Sequence, residues 1–224
     1  MESFDQNWEH IHQHQEWGKY PSEEVVRFIA RNFYGKERRS IKLLDAGCGT
    51  GAVTWFLARE GFNVYGFDGS KTAIQKARQR MEEEAVTAEL AVCDATCLPY
   101  LDNFFDGMVD SVMICANTLD NVKKILSECY RTLKPGGRFF STGLFRPETS
   151  GYGAGKLIEP NTYTDITSGV LAGKGIVHFF SYEDITALWQ SAGFTNLIID
   201  SMARSEHGGT GCISYFMVEA QKAK

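Results

Sequence analysis

Hydrophobic residues change their period along this chain, and each change marks an element. Ahead of residue 40 one helical stripe stands out, Val25, Val26, Ile29 and Phe33, opened by Pro21-Ser22-Glu23-Glu24 and followed by Gly35. That spacing predicts an amphipathic helix with acids at its dipole-favoured start. From Ile41 short apolar runs alternate with 3.6-period stripes. The runs "IKLLD", "NVYGFD", "TAELAVCD", "FFDGMVDSVMIC" and "RFFSTGLF" read as five strands. Between them fall a helix marked by Val53, Phe56 and Leu57, one capped by Ser70, and one capped by Asp120 with Val122, Ile125, Leu126 and Cys129 inward. "KPGG" is expected to end the third helix and turn into the fifth strand. This βαβα rhythm predicts an α/β fold, a doubly wound sheet with right-handed crossovers.

After the fifth strand the rhythm breaks. Residues 146–177 are rich in Gly, Thr and Tyr and weakly periodic. A long segment of this kind is expected to lack regular structure and to act as a lid. Ser181-x-x-Asp184 then reads as a capping box for a helix with Ile185, Leu188, Trp189 and Ala192 inward. "TNLIID" and "CISYFMVEA" close the chain as two more strands. The expected organisation is an N-terminal helical cap at 1–40 and a main domain at 41–224, with a lid insertion at about 146–177.

Composition narrows the function. The 224 residues carry a formal net charge of −5 and are 43% hydrophobic, which fits a globular chain and no strongly basic nucleic-acid surface. No apolar run approaches the ~18 residues of a membrane span, and the start, MESFDQNWEH, lacks the order of a signal peptide. A soluble, cytoplasmic protein without a membrane span is expected. Six scattered cysteines form no C-x-x-C pair and are expected to be small buried hydrophobes. His10 and His14 would share a helix face, but no third ligand stands near them, so no metal is expected.

The candidate chemistry lies in "LLDAGCGTGAVTWFLAREG", a strand running through a glycine-rich turn into a helix. Gly47-x-Gly49-x-x-Ala52 fits the dinucleotide fingerprint. Gly47-x-Gly49-x-Gly51 behind Asp45 fits a second template. Asp45, Asp68 and Asp94 all fall at strand ends, where ligands of α/β sheets bind. A carboxylate just ahead of the turn repels a pyrophosphate and suits a cofactor that is cationic at that end, such as S-adenosylmethionine.

Together "LLDAGCGTG", "VYGFDGS", "AVCDATCLPY", "FDGMVDSVMIC" and "LKPGGRFF" resemble a class I S-adenosylmethionine-dependent methyltransferase over about residues 41–140. The chain is most similar to the branch holding ubiquinone/menaquinone and many small-molecule methyltransferases. "HFFSYEDITALWQSAGF" extends the likeness more weakly. The resemblance implies a Rossmann-like, seven-stranded sheet, mostly parallel with an antiparallel last strand. It implies that Gly47, Gly49 and Gly51 line the methionine end. Asp68 would hold the ribose hydroxyls, and Asp94 with Ala95 would lie by the adenine. Cys48, Thr50, Gly69, Ser70 and Ser111 are further candidate cofactor contacts. "CANTLDN" stands where enzymes methylating exocyclic adenine or amide nitrogens carry Asn/Asp-Pro-Pro-Tyr/Phe. That departure, with the acidic balance, points to a small-molecule acceptor and not to nucleic acid.

The expected function is methyl transfer from S-adenosylmethionine to an O, N or C atom of that acceptor, in a monomer or homodimer. The alternatives are a non-catalytic S-adenosylmethionine-binding protein and an NAD-dependent oxidoreductase. An acceptor hydroxyl or carbon acid needs a base. His178 is the first candidate catalytic residue, ahead of His207 and Tyr182. Trp17, Tyr20 and His178 are the candidate substrate contacts.

Overall fold

The computed structural model describes residues 3–224. In chain order the elements are α1 (Gln6–His14), α2 (Glu23–Phe33), β1 (Lys42–Ala46), α3 (Ala52–Arg59), β2 (Asn63–Asp68), α4 (Lys71–Glu83), β3 (Glu89–Val92) and β4 (Phe105–Ser111). There follow α5 (Leu119–Thr132), β5 (Leu133–Phe145), β6 (Lys156–Glu159), β7 (Thr162–Thr164), β8 (Val177–His178), α6 (Tyr182–Ser191), β9 (Phe194–Glu206) and β10 (Gly211–Lys222). Seven strands form one sheet in the order β3-β2-β1-β4-β5-β10-β9. The last strand, β10, runs antiparallel to both its neighbours, and β1 to β5 are mutually parallel. The chain leaves β1 toward β2 on one side and reaches β4 on the other, so the switch point lies between β1 and β4.

Strand parity builds two cores. Leu43, Val64, Val109 and Phe140 face one way, against α2 and α3. Their neighbours Leu44, Tyr65, Met108 and Phe139 face the other, toward α5 and α6. Side chains alternate with period two, so a strand covered on both faces reads as a continuous apolar run. Phe28 of α2 stacks on Phe140 with ring centroids 4.9 Å apart. α2 is therefore a wall of the main domain's core, and α1 stands over the strand ends.

Three local expectations need correction. Thr118, not Asp120, precedes α5; Asp120 sits in its first turn. "KPGG" does not separate α5 from β5 but lies inside β5, where the register to β4 shifts. Residues 146–177 are not structureless. They carry β6 and β7 and enter β8, which make a separate three-stranded antiparallel sheet in the order β6-β7-β8. Thr149 anchors the segment: its hydroxyl donates to the Ser214 carbonyl at 2.5 Å and accepts the Ser214 N–H at 3.0 Å.

The capping box of α6 forms as its spacing predicts. The Ser181 hydroxyl accepts the Asp184 N–H at 3.1 Å, and the Asp184 carboxylate accepts the Ser181 N–H at 3.0 Å. Ser181→Ala is expected to lower stability by about 1 kcal/mol, the usual cost of losing an N-cap. Urea denaturation checks this, and an unchanged midpoint would remove the cap from the account.

Candidate functional site

The site is built at the carboxyl edge of the sheet. β1 ends at Ala46 and the chain enters the glycine turn, where Gly47 has φ +68°. An added Cβ there would collide with Met113 Cβ and Cγ, so only glycine lets the turn pack beneath the residues after β4. A cavity of about 320 Å³ opens above this turn. Gly47, Gly49 and Asp68 form its floor, Ala95, Ser111 and Met113 its sides, and Trp8, His12, Trp17 and Tyr20 its cover.

Asp68 organises the floor. Its Oδ2 accepts the Gly49 N–H at 2.9 Å, and its Oδ1 accepts the Ser70 N–H at 2.8 Å. Each oxygen keeps capacity for another donor. Burial pushes its pKa up against these two bonds. Asp45 lies deeper, and its Oδ2 takes both the N–H and the hydroxyl of Thr54, at 2.8 and 2.6 Å. It thereby pins the first turn of α3 while still lining the cavity. Burial pushes Asp45 up to about 7, outweighing the Thr54 bonds, and Asp110 up to about 6.

These two shifts have a definite sign. With folded pKa values above the unfolded value, the folded state holds protons the unfolded state has released. Asp45 and Asp110 therefore contribute stability at low pH that is lost as pH rises from about 4 to about 7. Asp45→Asn is expected to show a smaller loss of melting temperature across that window than the parent. Parallel curves for the two proteins would contradict the assignment.

The remaining predicted residues divide. Cys48, Thr50 and Gly69 line the cavity. Gly51 and Ser70 do not: Gly51 precedes α3 and faces Ala77, and the Ser70 hydroxyl caps α4 and donates to Glu9 at 2.6 Å. Asp94 lies outside the lining as well. Ser3 reaches it through its N–H at 3.0 Å and its hydroxyl at 2.5 Å, and Thr96 adds an N–H at 2.9 Å and a hydroxyl. Burial raises the Asp94 pKa, but these bonds outweigh it and hold the carboxyl well below the usual range.

His178 stands further off. It lines neither this cavity nor its neighbour. Its Nδ1 is 2.6 Å from the Thr162 hydroxyl, its ring packs edge-on against Phe180, and burial depresses its pKa. In β8 the side chain before it, Val177, takes the cavity side, so His178 faces away. Tyr182 and His207 also lie outside both linings. Among the described residues, no group of three His, Cys, Asp or Glu is placed to hold a metal ion, and no helix is long and apolar enough to cross a membrane.

A second cavity of about 380 Å³ adjoins the first beyond β4 and β5. The two share Trp8, Trp17, Ser111, Val112 and Ala116. Its walls are mainly apolar, among them Phe145, Leu171, Ile176, Val177 and Ile213. Glu24 is its acid: Oε1 accepts the Tyr215 hydroxyl at 3.0 Å and that of Thr142 at 3.2 Å. Between the cavities Val112 has φ +73°, a conformation costly for a β-branched residue and found where function holds it.

The methyltransferase-domain family matches residues 43–137, from the first strand through the turn, β4 and the start of β5. Residues 43–137 thus match a methyltransferase domain, and over them the chain resembles class I S-adenosylmethionine-dependent methyltransferases. It is 38% identical over 98 residues to a demethylmenaquinone methyltransferase from Tropheryma whipplei, which covers 43% of this chain and 39% of that protein. It is 28% identical over 171 residues to a tRNA N(3)-methylcytidine methyltransferase from Drosophila melanogaster, 70% of this chain and 50% of that one. The chain thus spans half or less of the length of these curated relatives. A solved 1,6-didemethyltoxoflavin-N1-methyltransferase from Burkholderia thailandensis, holding S-adenosylhomocysteine, has the same fold, with a TM-score of 0.66 and 19% identity over 90% of this chain and 78% of that one.

The cavity suits S-adenosylmethionine chemically. Trp8 Nε1, His12 Nδ1 and Asn117 Oδ1 all belong to residues lining the first cavity. All three atoms are buried without a hydrogen-bond partner among the described residues. Buried polar groups are rarely left so, and a ligand offering both donors and acceptors would satisfy all three. The ammonium, carboxylate and hydroxyls of S-adenosylmethionine offer both. Sequence reasoning missed these three residues. Asn117 had a signal, since it stands in the loop after β4 at the switch point; Trp8 and His12 had none beyond being an aromatic and a histidine near the start.

Proposed function

We propose that this chain transfers the methyl group of S-adenosylmethionine to an O, N or C atom of a small-molecule acceptor. One observation carries the reading: two adjoining cavities meet at Ser111 and Val112, one floored by Asp68 and the glycine turn, the other mainly apolar. Small ligands bind in such clefts, with a few polar groups setting orientation. In this reading Asp68 and the backbone of Gly47 and Gly49 hold the cofactor, Ala95 lies by the adenine, and Asp45 supplies negative charge at the methionine end. Bound S-adenosylmethionine supplies a methyl group already activated on sulfonium.

The protein's own part is then to position the acceptor and exclude water, which is worth roughly 7–11 kcal/mol in favourable cases. Trp17 and Trp8 close over both cavities. The N-terminal segment is tied to the 146–177 segment by Asn7 Nδ2 donating to the Gly173 carbonyl at 2.8 Å and the Ile176 N–H donating to Asp5 at 3.0 Å. These ties make the two segments one cover, in keeping with a lid. Glu24 is the carboxylate that lines the acceptor cavity, and it serves as the proton acceptor where the acceptor group needs one.

The test measures S-adenosylhomocysteine release with a panel of phenols, quinols, heteroaromatic amines and carboxylates, alongside transfer RNA. Turnover with a member of the small-molecule panel and none with transfer RNA is the expected result. Turnover confined to transfer RNA, or cofactor binding without turnover by any acceptor, would overturn this reading.

A further inference from the structure

α1 lies across the cofactor cavity, held there by Glu9, whose carboxylate accepts the Ser70 hydroxyl at 2.6 Å and the Thr72 hydroxyl at 2.5 Å. This places His12, one turn further on, over the glycine turn. Its Cε1 lies 3.6 Å from where a Cβ on Gly49 would stand. His12 is only 5% exposed, and its ring packs against Trp8 and Trp17, with centroids 6.0 Å away in each case. Its Nδ1 has no hydrogen-bond partner among the described residues.

The group opposite His12 is Asp68. Both residues line the same cavity, and Asp68 holds the N–H of Gly49, the residue directly beneath the imidazole. The carboxylates of Asp68 and Glu9 and the ammonium groups of Lys76 and Lys174 are the charges that act on the ring. Burial outweighs the two acids and favours the neutral imidazole, which carries one N–H. An imidazole and a carboxylate that face one cavity without bonding each other leave room for a bridging group. A hydroxyl bridges them by donating to the carboxylate and accepting from an imidazole N–H; an ammonium would donate to both and needs the other tautomer, and the two ligands used below separate these cases.

Resting on the cofactor reading above, we propose that His12 is a cofactor-binding residue that donates a hydrogen bond to a ribose hydroxyl held on its other side by Asp68. α1 is then part of the cofactor site and not only a cover. The ribose is gripped from two elements distant in sequence, and it is recognised through the donor and acceptor faces of one hydroxyl.

Calorimetry with two ligands tests this. S-adenosylhomocysteine carries ribose, adenine and the amino-acid tail; 5′-methylthioadenosine lacks the tail. His12→Phe keeps an aromatic ring between Trp8 and Trp17 and removes the donor. It is expected to weaken both ligands by a similar factor, about tenfold, on the scale of one hydrogen bond. His12→Gln restores a donor and is expected to recover part of the loss for both. Both variants should melt within a few degrees of the parent without ligand, since α1 lies outside the two cores. Parental affinity of His12→Phe for both ligands would overturn the proposal. So would a loss confined to S-adenosylhomocysteine, which would move the contact to the tail. If the parent binds neither ligand, the cofactor reading fails and this proposal with it; if the parent binds and the variants match it, only this proposal fails.

Discussion

Asp68→Ala is expected to weaken S-adenosylhomocysteine binding by about 1.5–3 kcal/mol, a factor of about 10 to 150. Two effects add. On the proposed function the ribose loses a charged acceptor. The floor also comes apart, because the N–H groups of Gly49 and Ser70, 2.9 and 2.8 Å from the Asp68 oxygens, lose their partner. Asp68→Asn separates the two, since its one oxygen can satisfy a single N–H; it should fall between alanine and the parent. Calorimetry on folded variants gives the answer. Parental affinity in the alanine variant would remove Asp68 from the cofactor site.

The second large effect belongs to Gly47. Gly47→Ala places a side chain in the left-handed region at φ +68° and drives its Cβ into Met113. The left-handed conformation alone costs about 1–2 kcal/mol. Met113 Cβ cannot swing aside as a chain end does, so the backbone after β4 must shift, and the total is expected at about 2–4 kcal/mol. Met113 and Ser111 line the cavity, so binding of S-adenosylhomocysteine should fail even where the variant stays folded. Gly61 is the control. It has φ +87°, but a Cβ there meets nothing within 4 Å, so Gly61→Ala should show only the conformational cost and bind normally. Equal losses for the two variants would contradict the close approach at Gly47.

The fold was legible because its signals are local. Runs such as "KLLDA" and "NVYGFD" hold unbroken stretches without a polar side chain on either face, Leu43-Leu44 and 64–67, as strands covered on both faces do, and both sit in the parallel part of the sheet. The site was legible where the chain itself brings residues together: glycine turn and Asp68 belong to consecutive strands. What sequence could not show depends on contacts between distant residues. Ser3 meets Asp94 across 91 positions, which takes from Asp94 the free carboxylate that its strand-end position implied. His178 lies outside both cavity linings for a different reason. In a two-residue strand no period is visible, and a shift of one residue decides which side chain faces the cavity. The acid of the second cavity, Glu24, read only as a favourable charge at a helix start, because nothing local ties it to Tyr215, 191 positions away.

The central claim is that the cavity above the glycine turn is a site for S-adenosylmethionine. Calorimetric titration of the parent protein with S-adenosylhomocysteine, run beside NADH, tests it most directly. One saturable site for S-adenosylhomocysteine and no binding of NADH are expected. Binding of NADH with none of S-adenosylhomocysteine would contradict it.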